Sequence, residues 1–396
     1  MKKAIVIIPT YNEKENIQKV VPVLQDVFKN IKNWDMHILV VDDTSPDKTY
    51  ETVQQLQKKH KNLHLVINPN KAGLGGAYLK GMAEAFGKLK ADVVFEFDAD
   101  LSHDPTKIPA LLQKIEDGYD LVLGSRYVKG GGIPDDWGWH RKFLSKVGNL
   151  IIMLVFTDFS IRDWTAGYRA ITRQVYEAVH PELHSERFSG YTFQIGFLHK
   201  TVRKGFKVAE VPFKFVDRTI GQSKLGPEYI KNTLIYIFKV RLQEIVNHRI
   251  FKFVVVGGLG ALIQLSSLQL YRALTGNGGW GLSGFQWATL LSIETAIISN
   301  FILNNLWTFA DRKLSAIQLP GKFVQFNIAS MGSLIIQFIL STAGEKGIGL
   351  FTLFTLPIIN LAIDTGLVYA VMGILIGMFW NFFAYSRLVW KKPASK

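Results

Sequence analysis

Three short stretches of this 396-residue chain concentrate acidic and hydroxyl side chains directly after apolar runs: Pro9-Thr10-Tyr11-Asn12-Glu13, Asp42-Asp43-Thr44-Ser45-Pro46-Asp47 and Asp98-Ala99-Asp100-Leu101-Ser102-His103. Paired carboxylates are hard oxygen ligands, suited to Mg²⁺ or Mn²⁺ bridging a diphosphate. Any one stretch also has a plainer reading, because Asp43 and Asp47 would equally cap a turn and the helix that follows. Three in order make the stronger case for a site. His103 reads equally as a ligand or acid and as a structural hydrogen-bonding residue, since no second spaced His accompanies it. The run Gly73-Leu74-Gly75-Gly76 has Tyr78 where a dinucleotide loop needs its third glycine. It reads instead as backbone packing against a neighbouring strand.

The elements that would carry these stretches follow from hydrophobic pattern. Ala4–Ile8, His37–Val41, Leu63–Ile67, Val93–Phe97 and Leu121–Leu123 are short apolar runs, with amphipathic patterns near 14–30, 48–60, 75–88 and 106–117 between them. That alternation predicts an α/β fold with a mainly parallel sheet. The three stretches then fall at carboxyl ends of strands, where such folds bind ligands.

Composition changes sharply along the chain. Residues 250–396 hold only 10 of the 46 Lys and Arg and 4 of the 32 Asp and Glu. Phe253–Tyr271, Phe323–Gly344 and Thr365–Ser386 are uncharged, and Phe285–Ala310 carries only Glu294. About 20 apolar residues cross a bilayer core. The expectation is four transmembrane helices, about 250–273, 284–310, 322–344 and 364–387, in an all-α domain spanning 250–396. Gly347–Ile363, broken by Pro357, reads as an interfacial or re-entrant approach. Arg249, Lys252, Arg312, Lys313, Lys322, Arg387, Lys391 and Lys392 flank one side of these spans, against Arg272 and Lys346 on the other, which predicts both termini in the cytoplasm. No signal peptide is visible, since Met1–Lys3 runs straight into Ala4–Ile8. The absence of Cys excludes a disulfide-stapled secreted scaffold. A net charge of +14 first suggests nucleic acid. No nucleic-acid-binding signature accompanies it, and anionic lipid is the partner expected.

The membrane region also reads as repeated. Lys252-Phe253-Val254 recurs as Lys322-Phe323-Val324, and Asn300-Phe301 as Asn381-Phe382, with Gly257, Gly260, Ala261, Ala329 and Gly332 as close-packing positions. It resembles the four-helix membrane domain of GtrA-like proteins.

The three stretches occur in order with Gly124-Ser125-Arg126-Tyr127, Thr165–Ala170, Gly190–Gln194 and Phe215–Gly226. Together they resemble a GT-A fold, family 2 glycosyltransferase, and within it the dolichyl-phosphate mannose synthases. The resemblance covers about residues 4–230. It implies a Rossmann-like GT-A domain over 1–226, a GDP-mannose donor and a polyprenyl (dolichyl) phosphate acceptor. Residues 227–249, which mix Ile230, Leu234, Ile237 and Phe238 with Lys231, Lys239 and Arg241, read as an amphipathic interfacial helix leading into the first span. By the same resemblance Pro9, Tyr11, Glu13, Asp43, Asp98, Ala99 and Asp100 line the nucleotide-sugar pocket. Asp98, Asp100 and Ser102 form the metal set; some relatives carry Gln at the third position, and Ser is the poorer ligand.

A lipid phosphate is already an anion, so it can attack without a general base. The enzyme must bind that anion and align it with the donor for in-line displacement; the resemblance implies that the anomeric configuration is inverted. Arg126, Arg141, Ser145, Arg218 and Lys224 are the expected acceptor-phosphate residues, and Asp100, Arg126 and Arg218 the expected catalytic ones. Two rival readings stand beside this one. A glucosyl or amino-sugar transferase using a UDP-sugar would share the scaffold. A lipid-sugar flippase module fed by the transferase would use the charges Glu294 and Asp364. A processive polysaccharide synthase is disfavoured by the absence of a Gln-x-x-Arg-Trp motif.

Overall fold

The first strand, β1 (Lys2–Thr10), is buried on both sides: Ala4, Val6 and Ile8 point into one apolar layer, Ile5 and Ile7 into the other. A strand of that kind must be central, with helices on both faces. The computed structural model bears this out, describing residues 1–69, 73–183, 192–217, 227–275, 284–349, 351–356 and 361–391. The chain continues through α1 (Lys14–Phe28), β2 (Trp34–Asp42), α2 (Thr49–Gln57), β3 (Leu63–Ile67), α3 (Gly73–Gly87), β4 (Val93–Glu96), α4 (Ile108–Glu116) and β5 (Leu121–Ser125). It then runs through α5 (Trp139–Phe156), β6 (Arg169–Thr172), α6 (Arg173–Val179), α7 (Thr192–Arg203), β7 (Val208–Pro212) and α8 (Pro227–Asn247). The seven strands lie in the order β3-β2-β1-β4-β6-β5-β7, and β6 is antiparallel to both its neighbours while the other pairs are parallel.

Helices α1, α2 and α4 cover one face with Ile17, Leu24, Val53 and Leu111. Helices α3, α5, α6 and α7 cover the other with Tyr78, Met82, Ile152, Val175 and Phe197. Strands β6 and β7 and helices α6 and α7 are absent from the hydrophobic reading. The glycine expectation also changes. Gly75 meets the ring of Phe193 rather than a strand. The close approach to the sheet belongs to Gly81, where an added Cβ would stand 2.6 Å from Ile7 Cγ2 and 3.0 Å from Val41 Cγ2.

Two compact units, Met1–Arg241 and Leu242–Lys396, divide within α8. The first part of α8 belongs to the first unit's core: Ile237 is buried there, with Leu234, Tyr236 and Val240 packed beside it. The second unit contains α9 (Arg249–Thr275), α10 (Gly284–Leu303), α11 (Leu319–Gly347), β8 (Thr352–Leu356), β9 (Leu361–Asp364) and α12 (Thr365–Ala384). Helix α9 packs mainly on α10 and α11 on α12, giving two helical hairpins. The expectation of an all-helical domain needs one correction, because β8 and β9 form an antiparallel pair between α11 and α12. Pro357 and Lys392 lie outside the described residues.

The hairpins close alike. Each second helix ends in a π-helical turn, Asn304–Thr308 and Tyr385–Val389, with Phe309 N donating to Asn304 O and Trp390 N to Tyr385 O, both at 2.8 Å. The rings of Phe309 and Trp390 stack at 4.6 Å and 4°. Arg312 donates to Trp390 O and Lys322 to Leu388 O, so basic side chains satisfy helix-terminal carbonyls. A side chain on Gly260 would run into Asn300, and one on Gly332 into Trp380. Among the described residues no single helix is long and apolar enough to cross a membrane; Glu228–Asn247 and Arg249–Gln264 reach that length and composition only when taken together, as a bent pair.

The tight seat of α3 on the sheet yields a test. Gly81→Val should destabilise the protein by about 1–3 kcal/mol through overpacking against Ile7 and Val41. Chemical denaturation of wild type and variant would measure it; an unchanged midpoint would mean that α3 shifts freely.

Candidate active site

Register brings the first two acidic stretches together, because Thr10 is the partner of Asp42 across β1 and β2. Asp42 is fully buried and organises both loops. It accepts hydrogen bonds from Thr10 Oγ1 at 2.8 Å, Ser45 N at 2.8 Å and Ser45 Oγ at 2.7 Å. Asn12 N in turn donates to Ser45 Oγ. Asp47 pins the same junction, accepting from Lys14 N, Thr49 N and Thr49 Oγ1. Its role is therefore the structural one. Asp43 accepts from Asn68 Nδ2 at 3.0 Å, and Glu13 from Asn16 Nδ2 at 2.6 Å. Pro9 and Tyr11 flank this junction, both partly buried.

The third stretch follows β4, beside β1. Asp98 accepts from Tyr78 OH at 3.2 Å, and its backbone N donates to His103 Nδ1 at 3.1 Å. That bond makes Nδ1 an acceptor, so His103 is neutral with its proton on Nε2, which faces Asp98 Oδ2 at 3.6 Å. Burial keeps the imidazole below its ordinary pKa. His103 also stacks on Tyr168 and meets Phe97 and Phe213 edge-on. It is thus a packed positioning residue for Asp98. Asp100 accepts from Ser102 N at 3.1 Å across Leu101, whose φ is +58°. Asn12, Thr44 and Lys48 share that left-handed conformation, with φ of 59°, 52° and 62°. Such conformations are costly for bulky or branched residues and gather at functional loops.

Two carboxylates are present for a metal, and among the described residues no group of three or more His, Cys, Asp and Glu could hold one. That suits Mg²⁺, which takes one or two carboxylates and completes its shell with waters and substrate phosphates. Asp98 is 38% exposed and reachable. Ser102 Oγ is buried without a hydrogen-bond partner, a donor-set oxygen that a cation or water would satisfy. Ala99 is buried between the two carboxylates in sequence.

Beneath Asp98 lies a buried ion pair. Glu96 and Arg169 are register partners on β4 and β6, both fully buried, with Nε and Oε2 3.7 Å apart. Arg169 also donates to Ala166 O and Gln194 O, at 2.8 Å each. Burial pushes the Glu96 carboxyl up to about 7, with Asp98 adding to the rise and Arg169 opposing it.

A second cluster carries the basic residues. Arg126 makes a bidentate pair with buried Asp163, at 2.8 and 2.7 Å, and donates to Thr165 Oγ1. Arg141 makes another with Asp217, at 2.9 and 3.0 Å. Ser145 Oγ bonds Tyr127 OH at 2.5 Å. Aromatic rings join the two arginines: Arg126 lies 5.9 Å from Phe215, Phe215 meets Trp137 at 5.8 Å, and Arg141 sits 3.7 Å over Trp137. Gly131 lets the intervening loop fold back, since a Cβ there would stand 2.5 Å from Ser125 O. Arg126, Arg141 and Ser145 are thus gathered on one face, each with a protein partner. Arg218, Lys224, Gly190 and Tyr191 lie outside the described residues. Asp42, Asp163, Glu96, Trp137 and Asp217 are the organising residues that sequence reasoning missed. The residue pairings that reveal them exist only after folding.

A doubly covered, mainly parallel α/β sheet with acidic loops at its strand ends is a Rossmann-like scaffold of the GT-A kind. Residues 5–179 match the glycosyl transferase family 2 model, and residues 252–390 match the GtrA/DPMS transmembrane domain. The chain is 34% identical over 339 residues to the dolichol-phosphate mannosyltransferase of Pyrococcus furiosus, covering 85% of this chain and 89% of that one. It is 38% identical over 240 residues to the polyprenol monophosphomannose synthase of Mycolicibacterium smegmatis, covering 60% of this chain and 86% of that relative. Against the undecaprenyl-phosphate mannosyltransferase of Micrococcus luteus it is 34% identical over 235 residues, 59% of this chain and 92% of that one. The chain belongs to glycosyl transferase family 2 and is a glycosyltransferase with a GtrA/DPMS membrane domain.

The buried carboxyl gives a pH test in EDTA. Between about pH 4.5 and 7 the unfolded chain has released the Glu96 proton while the folded protein keeps it, so folding stability falls as pH rises through that window. Glu96→Gln cannot titrate, and its thermal midpoint should gain on the wild type across the same range. Parallel pH profiles would show that Glu96 does not titrate in this way.

Proposed function

We propose that this enzyme transfers mannose from GDP-mannose to a polyprenyl monophosphate with inversion, at the cytoplasmic face of a membrane. The observation that carries the reading is the adjacency of two chemically distinct groups in one domain. Acidic loops stand at the ends of β1, β2 and β4, and an arginine and aromatic face follows β5. The names of the relatives, all mannosyltransferases or phosphomannose synthases, support the sugar and acceptor class.

In this reading Pro9, Tyr11, Glu13, Asp43 and Ala99 line the nucleotide-sugar pocket. Asp98 and Asp100 hold Mg²⁺ or Mn²⁺, with Ser102 or a water beside them, and the bound metal would supply charge neutralisation at the diphosphate. Tyr78 and His103 fix the Asp98 carboxylate, so little reorganisation is needed when a ligand arrives. The acceptor phosphate needs no proton removed. Arg126, Arg141 and Ser145, with Arg218 and Lys224, bind and orient it, and guanidinium suits that task because its fork matches phosphate oxygens. We further propose a catalytic domain over 1–226, an interfacial segment over 227–249, and four spans within 250–396. The uncharged runs of the sequence and the match of residues 252–390 to the GtrA/DPMS transmembrane domain support that division.

Radiolabelled GDP-mannose, GDP-glucose and UDP-glucose offered with one polyprenyl phosphate test the donor directly; GDP-mannose is expected to be used at least tenfold better. Asp100→Ala, or EDTA with the wild type, should cut turnover by about two orders of magnitude or more, since a missing ligand removes several kcal/mol of charge stabilisation. Full activity in either case would refute the metal-dependent reading.

A further inference from the structure

Asp217 closes the described part of the segment that leads into Arg218, and three donors converge on its carboxylate. Arg141 Nη1 and Trp137 Nε1 both donate to Oδ2, at 2.9 and 2.7 Å, while Arg141 Nη2 donates to Oδ1 at 3.0 Å. Trp137 is only 8% exposed, and its ring forms the platform on which the Arg141 guanidinium lies at 3.7 Å. A planar fork on a rigid aromatic base, with a third N–H at its edge, is a recognition surface for the oxygens of a phosphate as much as for a carboxylate. We infer that Asp217 is an internal stand-in for the acceptor's phosphate, competing with it for the Arg141–Trp137 surface. This rests on the proposed acceptor role of Arg141.

Burial decides which of the two arginine pairs can exchange. The side chains of Arg126 and Asp163 are 9% and 0% exposed, and Thr165 adds a third bond. Separating them would strand a buried carboxylate, so Arg126 keeps its partner. The side chains of Arg141 and Asp217 are 44% and 37% exposed, where water takes over from a lost ion pair at little cost. Arg141 is therefore the exchangeable cation.

Charge then gives the exchange a direction. A phosphate monoester carries about −1.5 to −2 charges near neutral pH, with its second pKa near 6, against a single charge on Asp217. The monoester acceptor outcompetes the carboxylate. In the transfer, a phosphate oxygen forms a bond to the sugar's anomeric carbon, and the nucleoside diphosphate leaves with the electron pair of the broken bond. The lipid product is a phosphodiester with one negative charge and one fewer terminal oxygen. Against that product Asp217 competes on nearly equal terms. The same residue admits substrate and helps to expel product.

Steady-state kinetics of the full-length enzyme in detergent, with a short-chain polyprenyl monophosphate, tests this. Asp217→Asn should lower the acceptor KM by about two- to five-fold, the range expected for an exposed ion pair. The donor KM should stay unchanged, and inhibition by the glycosylated phosphodiester product should strengthen. Trp137→Phe, which keeps the platform and removes the N–H, should weaken binding of the product. In an Arg141→Gln background, Asp217→Asn should have no effect on acceptor KM. An acceptor KM that is unchanged or raised in Asp217→Asn, with wild-type donor KM, would overturn the stand-in role. A wild-type enzyme that transfers no sugar to any polyprenyl monophosphate would instead overturn the proposed function, a result distinct from the first.

Discussion

A charged pair buried between β4 and β6 sets the floor of the site. Glu96 and Arg169 face each other only because β6 enters the sheet antiparallel between two strands that run the other way. The guanidinium reaches the carbonyls of Ala166 and Gln194 as well, so the loop before β6 and the start of α7 share one anchor. Removing two charges from water costs about as much as their attraction returns, which is why the raised Glu96 pKa and the lowered Arg169 pKa both point to burial. The pair contributes geometry rather than stability. Losing one partner would leave the other uncompensated, at about 3–5 kcal/mol. Two residues past Glu96, Asp98 meets Tyr78 and His103, which reach it from opposite layers: Tyr78 belongs to one apolar core, and His103 packs on Phe97, Tyr168 and Phe213 of the other.

The two sides of the site are built to different tolerances. On the acidic side the organising carboxylate, Asp42, is fully buried and saturated by three short hydrogen bonds. Loops held this way stay fixed, and the left-handed Asn12, Thr44 and Leu101 add strain that only a rigid surrounding sustains. On the basic side the anchoring falls off outward. Arg126 is locked by Asp163, whereas Arg141 rests on an exposed pair and an aromatic platform. A soluble donor entering a preformed pocket and an acceptor delivered from a lipid phase would place those different demands on one fold.

Legibility in the sequence followed the same physics. Strands β1, β2, β4 and β5 were readable because both of their faces are covered, which leaves nearly continuous apolar runs; the edge strand β3 buries only Leu63 fully but keeps an apolar run. Strand β6 is four residues long and carries Arg169, and β7 contains Glu210 and ends at Pro212. No local pattern announces strands of that kind; only the finished sheet buries them. The acidic pair was visible, since Asp98 and Asp100 stand two positions apart in sequence and their chemistry is intrinsic. The partners that tune the site were not. Asp42 stands beside the more conspicuous Asp43, and its role depends on the register with Thr10. Asp163 and Asp217 acquire meaning only from arginines 37 and 76 residues away.

Helices α5 and α8 join the core to the proposed bilayer seat, and their composition reflects two demands. In α5, Ile152, Met153 and Phe156 are buried in the catalytic core, while Trp139, Phe143, Leu144, Leu150 and Leu154 are exposed beside Lys142 and Lys146. In α8, Ile237 is buried, and Ile230, Ile235 and Phe238 are exposed near Lys231 and Lys239. A soluble surface helix has one apolar stripe and one polar face. A helix with apolar side chains on both faces and lysines among the outer ones matches an interface of lipid headgroups and acyl chains. Helix α5 supplies Arg141 and Ser145 from the same length of backbone that exposes Trp139 and Phe143. A lipid phosphate reaching Arg141 would therefore arrive beside apolar side chains able to accept its isoprenoid chain, so that one helix would set both the depth of the lipid and the position of its phosphate.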